Sequence, residues 1–223
     1  MIHFRSLGTD IADLVLARSC AGCEAPGSVL CGACWTHLTR GLVERDLPEG
    51  FAAVAATEYL GIGASIVIAH KEHGWNALTP MLGALLARAV TSVTSEPVML
   101  VPIPPHAHSR ARRGTDPLAD IVAAAVRALH GIGQHAEKSS ILVRARDAGS
   151  LKLLSRDMRQ QAVQSSFSVD IRKTRSSGAL VVVDDVITTG VTVAEARRTL
   201  ESHDLAVTGI AAVASTPLRG SLR

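Results

Sequence analysis

One stretch near the C-terminus restricts the fold more than any other: Ala179-Leu180-Val181-Val182-Val183, followed without a break by Asp184-Asp185. A continuous aliphatic run rich in β-branched residues reads as a strand buried on both faces, the kind found where helices cover a parallel sheet. Thr188-Thr189-Gly190-Val191-Thr192 comes next, and residues 193–202 carry helical spacing. Buried strand, polar turn and helix form the repeating unit of α/β proteins. The rest of the chain alternates in the same way, with strand-like runs at 51–59, 98–101, 141–143 and 206–214. Helical patterns lie at 63–70, 80–93 and 116–130 between them. The expected architecture is a doubly wound, mostly parallel sheet.

In such sheets ligands bind beyond the carboxyl ends of the strands. The residues placed there have a definite chemistry. Backbone N–H groups at a helix N-terminus, threonine hydroxyls and the permissive Gly190 make a cradle for phosphate. Asp184 and Asp185 repel phosphate but accept hydrogen bonds from sugar hydroxyls. Carboxylates first and a phosphate cup second therefore describe a ribose 5-phosphate, with hydroxyls on the acids and phosphate on residues 188–192.

All four cysteines fall in one short window, Cys20-x2-Cys23-x7-Cys31-x2-Cys34. Two C-x-x-C pairs suit a closed tetrahedral zinc site, and such all-thiolate sites are structural. Gly22 and Gly32 sit inside the pairs, where the chain is expected to turn around the metal. Two disulfides are the competing reading. They are disfavoured because Asp10 and Asp13 interrupt any export signal, which places the chain in the reducing cytoplasm. A helix over residues 11–18, capped by Asp10, leads into this knuckle. Residues 1–47 then form one unit and residues 48–223 the main domain, with the polar stretch 41–50 as the link.

Composition narrows the possibilities. At 223 residues, 47% hydrophobic and 19% charged, the chain is an ordinary globular protein rather than a disordered or fibrous one. Aromatics are only 3%, so the core is aliphatic and base-stacking platforms are scarce. The most apolar stretch, residues 51–69, is interrupted by Glu58 and two glycines, so no membrane span is expected. Residues 101–175 hold 13 Lys/Arg against 6 Asp/Glu, a basic excess suited to a phosphorylated ligand or to nucleic acid. His70 and His73 read as polar surface residues, and Trp35 and Trp75 as core anchors.

The hydrophobic run with Asp-Asp and Thr-Thr-Gly-x-Thr resembles the phosphoribosyl-pyrophosphate (PRPP) signature of type I phosphoribosyltransferases. Further motifs lie along the chain: the four-cysteine knuckle, His70-Lys71-Glu72-His73-Gly74, Val101-Pro102-Ile103-Pro104 and Arg112-Arg113-Gly114. Together they resemble the ComF family, competence-protein F homologues linked to DNA uptake. The resemblance implies a type I phosphoribosyltransferase fold with an N-terminal zinc knuckle, binding PRPP with Mg2+ and transferring phosphoribosyl to an acceptor. On it, Asp184 and Asp185 are the catalytic acids, holding ribose hydroxyls and metal. Val186, Thr188, Thr189, Gly190, Val191 and Thr192 hold the 5-phosphate. Residues 102–114 become the pyrophosphate loop, with Lys71, Arg110, Arg112 and Arg113 as cations for the leaving group. Residues 144–164 become a hood, in which Arg144 or Lys152 can add a further cation. A homodimer is a further implication. The family continues Arg-Gly with Phe-Asn-Gln, where this chain has Thr115-Asp116-Pro117; Leu151 and Ala162 stand where a Gln and an Asn are expected. The alternative is a non-catalytic DNA-uptake module that binds DNA or a helicase partner.

Overall fold

The computed structural model describes residues 19–47, 50–105, 116–144, 166–173 and 178–217. The expected helix over 11–18, Arg110, Arg112, Arg113, Lys152, Leu151 and Ala162 lie outside them. In chain order the elements are α1 (Gly32–Leu38), β1 (Val43–Asp46), β2 (Ala52–Glu58), α2 (Ile62–His73) and α3 (Thr79–Val93). Then come β3 (Val98–Pro102), α4 (Pro117–Gly131), β4 (Ala136–Lys138), β5 (Leu142–Arg144) and β6 (Phe167–Val169). β7 (Ala179–Ile187), α5 (Val191–Glu201) and β8 (Val207–Ser215) close the fold.

Six strands form one sheet in the order β1-β2-β8-β7-β3-β4, and every neighbouring pair is parallel except β1–β2. β7 and β8 run through the middle: Val181, Val182, Val183 and residues 210–214 are fully shielded from solvent. Such burial on both faces is what a continuous aliphatic run requires. The links β2→β3 and β3→β4 run one way across the sheet, while β7→β8 runs the other. Right-handed crossovers then put α3 and α4 on one face and α5 on the other. α3 and α4 do pack together, so closely that a Cβ on Gly83 would lie 2.4 Å from that of Ala124. The reversal of direction between β3 and β7 is a topological switch point, and a crevice opens there at the strands' carboxyl ends.

Three local features depart from the sequence reading. The stretch taken as a link contains β1, which adds an antiparallel edge to the main sheet. Its pattern Val43-Glu44-Arg45-Asp46 alternates half-buried and exposed, and its charges are those that protect a sheet edge. The strand expected at 141–143 is β5, and it pairs antiparallel with β6 in a separate two-stranded sheet. Gly32 makes no turn; it opens α1. Asp116 and Pro117, where the resemblance expects Asn-Gln, start α4: Asp116 is its N-cap, its Oδ1 accepting from the Ala119 N–H at 3.2 Å, with Pro117 in the first turn.

Candidate functional site

β7 carries Asp184 and Asp185 to its carboxyl end, directly before the loop to α5. Asp185 is 7% exposed. Its carboxylate meets the ammonium of Lys71, with Nζ 2.6 Å from Oδ2. Lys71 reaches this place because α2 enters close above the end of β2. A Cβ on Gly63 would lie 2.1 Å from the Glu58 carbonyl oxygen, so only glycine allows that approach. The two charges line a cavity of about 240 Å3 together with a third, Glu72, and with Tyr59, Val67, Ile68, Val186 and Thr188.

The neighbouring carboxylate is held differently. Asp184 Oδ1 accepts from the Asp185 N–H at 2.8 Å. Burial pushes the Asp184 carboxyl well above its ordinary range, the charge of Asp185 adds to that, and the Asp185 N–H and Lys71 ammonium oppose it. His70 is 4% exposed, with Nε2 2.9 Å from the Thr79 hydroxyl. This corrects its reading as a surface residue: it follows Ile66 and Val67 by one turn, on the buried face of α2. Burial lowers its pKa, against the charges of Asp120 and Asp185. Trp35 and Trp75 both pack against the core.

The loop beyond Ile187 turns at Gly190, whose φ of 79° lies in the left-handed region, and α5 starts at Val191. No side chain caps Gly190, and Thr188, Thr189, Val191 and Thr192 are exposed. The first-turn N–H groups of a helix left without a side-chain cap suit an anion. The structure thus brings Lys71, Asp185, Val186 and Thr188 into one cavity, and Thr189–Thr192 follow Thr188 in the chain.

Sequence reasoning missed Arg45. From the edge strand β1 its Nη1 donates to the Thr216 carbonyl and, at 3.2 Å, to the Thr216 hydroxyl. Thr216 in turn donates its N–H to the Ile187 carbonyl at 2.9 Å and its hydroxyl to the Thr188 carbonyl at 3.0 Å. Arg45 therefore braces the start of the loop. The alternation of residues 43–46 was its only signal.

On the other side of β7, Pro102 is in register with Val183, and the Ile103 N–H donates to the Val183 carbonyl at 3.0 Å. The loop expected to face a pyrophosphate thus departs beside Asp184. Arg144 Nε donates to the Pro104 carbonyl at 3.0 Å, and its guanidinium lies over the Phe167 ring. In this state Arg144 fastens β5 to the base of that loop.

The four cysteine sulfurs lie within 4.8 Å of one another, and all four cysteines are free thiols. A tetrahedral zinc with bonds near 2.3 Å sets its sulfurs about 3.8 Å apart, so the cluster suits one metal ion such as zinc. The Cys31 and Gly22 N–H groups point at Cys20 Sγ, at 3.3 and 3.4 Å. Burial acts to raise the Cys20 thiol, but these and the Cys23 N–H outweigh it and lower it to about 6. Burial and the neighbouring sulfurs push Cys34 up. The carboxylates of Asp184 and Asp185 are hard oxygen donors of the type that suits Mg2+, and the ammonium beside Asp185 shows that the position attracts a cation. Among the described residues, no helix is long and apolar enough to cross a membrane.

No family model and no curated protein matches the chain. Among solved structures, it is similar to the glutamine PRPP amidotransferase from B. subtilis complexed with ADP and GMP. Identity is 21% over 61% of this chain and 26% of that one, with a TM-score of 0.36. The allosteric regulatory enzyme of purine biosynthesis is similar at 20% identity over 61% and 25%, TM-score 0.37. The chain therefore spans about a quarter of the length of these two enzymes. An adenine phosphoribosyltransferase is similar at 14% identity over 82% of this chain and 89% of its own, TM-score 0.33.

Proposed function

We propose that the chain binds PRPP with Mg2+ in the crevice beyond β7 and transfers its phosphoribosyl group to an acceptor nucleophile. The observation that carries this reading is the order at the end of one central strand: Asp184 and Asp185, then Thr188–Thr189, then the left-handed Gly190 opening an uncapped helix. Acids accept from the 2- and 3-hydroxyls of a ribose, and the turn and helix end receive its 5-phosphate. Motif order along the chain, from knuckle through Lys71 to this strand, supports placing it with the ComF family, and the cysteine cluster is then its structural zinc site.

In the reaction the bond between C1 and the pyrophosphate oxygen breaks, its electron pair leaving with pyrophosphate. A bond from the acceptor's lone pair to C1 replaces it, and the acceptor gives up a proton. Charge at C1 becomes positive as the bond breaks, so a carboxylate fixed near the sugar favours the transition state over the ground state. Asp185 supplies that field, and both acids orient the ring. Mg2+, when bound with the ligand, neutralises the departing pyrophosphate.

The test is calorimetric titration of zinc-loaded protein with PRPP and Mg2+, beside the Asp184→Asn, Asp185→Asn double variant. Micromolar binding by the wild type and its loss in the variant is the expected result. Absence of binding to folded, zinc-loaded wild type overturns the reading.

A further inference from the structure

Lys71 has an unusual placement for a residue expected to face a leaving group. Its ammonium lies 2.6 Å from Asp185, and the side chains are 37% and 10% exposed. The lysine is thus the mobile, solvated member of the pair, and the aspartate the fixed one. The aspartate, nearly shielded from water, needs a cation beside it, and the lysine supplies one. Both groups line the cavity that also contains Thr188, at the beginning of the phosphate loop. A divalent cation of Mg2+ type binds carboxylate oxygen at about 2.1 Å. It and the ammonium therefore compete for the same oxygen.

We propose that Lys71 is the site's own counter-cation: it occupies Asp185 until an anionic ligand draws the ammonium away and frees the carboxylate for a divalent metal. The proposal rests on the reading of the crevice as a PRPP site and adds an order of events to it. Metal alone binds weakly, because it must displace Lys71 without compensation. An anion arriving in the cavity gives the ammonium an alternative to Asp185 on the same flexible stem. Anion and metal then strengthen each other's binding, and linkage makes that effect reciprocal. Lys71 also keeps the crevice from collecting divalent ions in the absence of ligand.

The probe is Mn2+ alone, titrated into full-length, zinc-loaded protein and followed by the paramagnetic resonance of the free ion. Lys71→Met is expected to bind Mn2+ ~10-fold more tightly than wild type, within the usual range of coupling between two sites. Lys71→Arg keeps a cation in place and stays weak. Asp185→Asn added to Lys71→Met removes the gain, which a general change in fold would not. Lys71→Gln serves as a second neutral variant, and melting curves with zinc content report whether each variant is folded. Equal Mn2+ binding by wild type and the folded neutral variants, at any affinity, overturns the proposal. Because no PRPP enters this experiment, a failed PRPP titration and a failed metal competition are separate results.

Discussion

Two clusters of ionisable groups lie towards opposite ends of α2, and they are balanced in opposite ways. In the cysteine knuckle the acceptors are soft sulfurs, gathered within 4.8 Å and steadied by backbone N–H groups of their own loop. In the crevice they are hard oxygens on a buried strand, and a side chain from another element balances one of them. Backbone donors cannot leave, whereas a lysine can. The knuckle therefore suits one firmly held ion, and the crevice, on the proposed reading, an exchange of partners.

The largest effect expected from breaking this contrast is at the knuckle. Purified without chelator, the chain should carry about one zinc, and a structural zinc of this kind contributes on the order of 10 kcal/mol to folding of its own segment. Cys34→Ser should lose the metal and lower the melting temperature sharply, as read by elemental analysis and thermal denaturation. Full zinc content in that variant would show that the four sulfurs do not act as one site.

A smaller effect is expected from the brace behind the loop proposed to hold phosphate. Arg45→Met removes the donor to Thr216 and should weaken binding of ribose 5-phosphate roughly 3- to 10-fold, the worth of one or two hydrogen bonds. Arg45→Lys should recover part of that loss, and calorimetry compares the three proteins. Unchanged affinity in Arg45→Met would mean that the loop holds its shape without the edge strand.

The smallest effect separates the two neighbouring aspartates. Asp184 has its folded-state pKa raised, so between its unfolded value and that raised value the native state binds more protons than the unfolded chain. Stability of metal-free protein should therefore fall as pH rises through this window. Asp184→Asn removes the titrating group and should flatten the profile, raising the melting temperature above that of wild type at pH 8 but not at pH 4. Parallel profiles for variant and wild type would place the proton elsewhere.

Much of the central architecture was legible because it is written contiguously. β7, its loop and α5 follow one another, so hydrophobic run, acids and helix start could be read in order. Pairs from distant segments could not. The resemblance assigns Lys71 and Asp185 to one ligand, but nothing in the sequence pairs the two, because their meeting depends on how closely α2 approaches β2 at Gly63. β4 and β6 are three residues each, too short for alternation to register. β1 was hidden by the charges that protect it as an edge. His70 was misread for a different reason: the polar run His70-Lys71-Glu72-His73 masked the helical spacing that puts it one turn beyond Ile66 and Val67.

The packing of Gly22 has a consequence for the other end of α2. A Cβ at Gly22 would lie 2.8 Å from Ile62 Cγ2 and 2.9 Å from Cys34 Sγ, so the metal loop is seated directly on the first residue of that helix. Nine residues later the same helix presents Lys71 to Asp185, a rise of about 14 Å along one stiff rod. The knuckle thus acts as a foundation whose level is transmitted to the crevice. A shift of the loop by a fraction of an ångström would tilt the rod and move the ammonium at its far end.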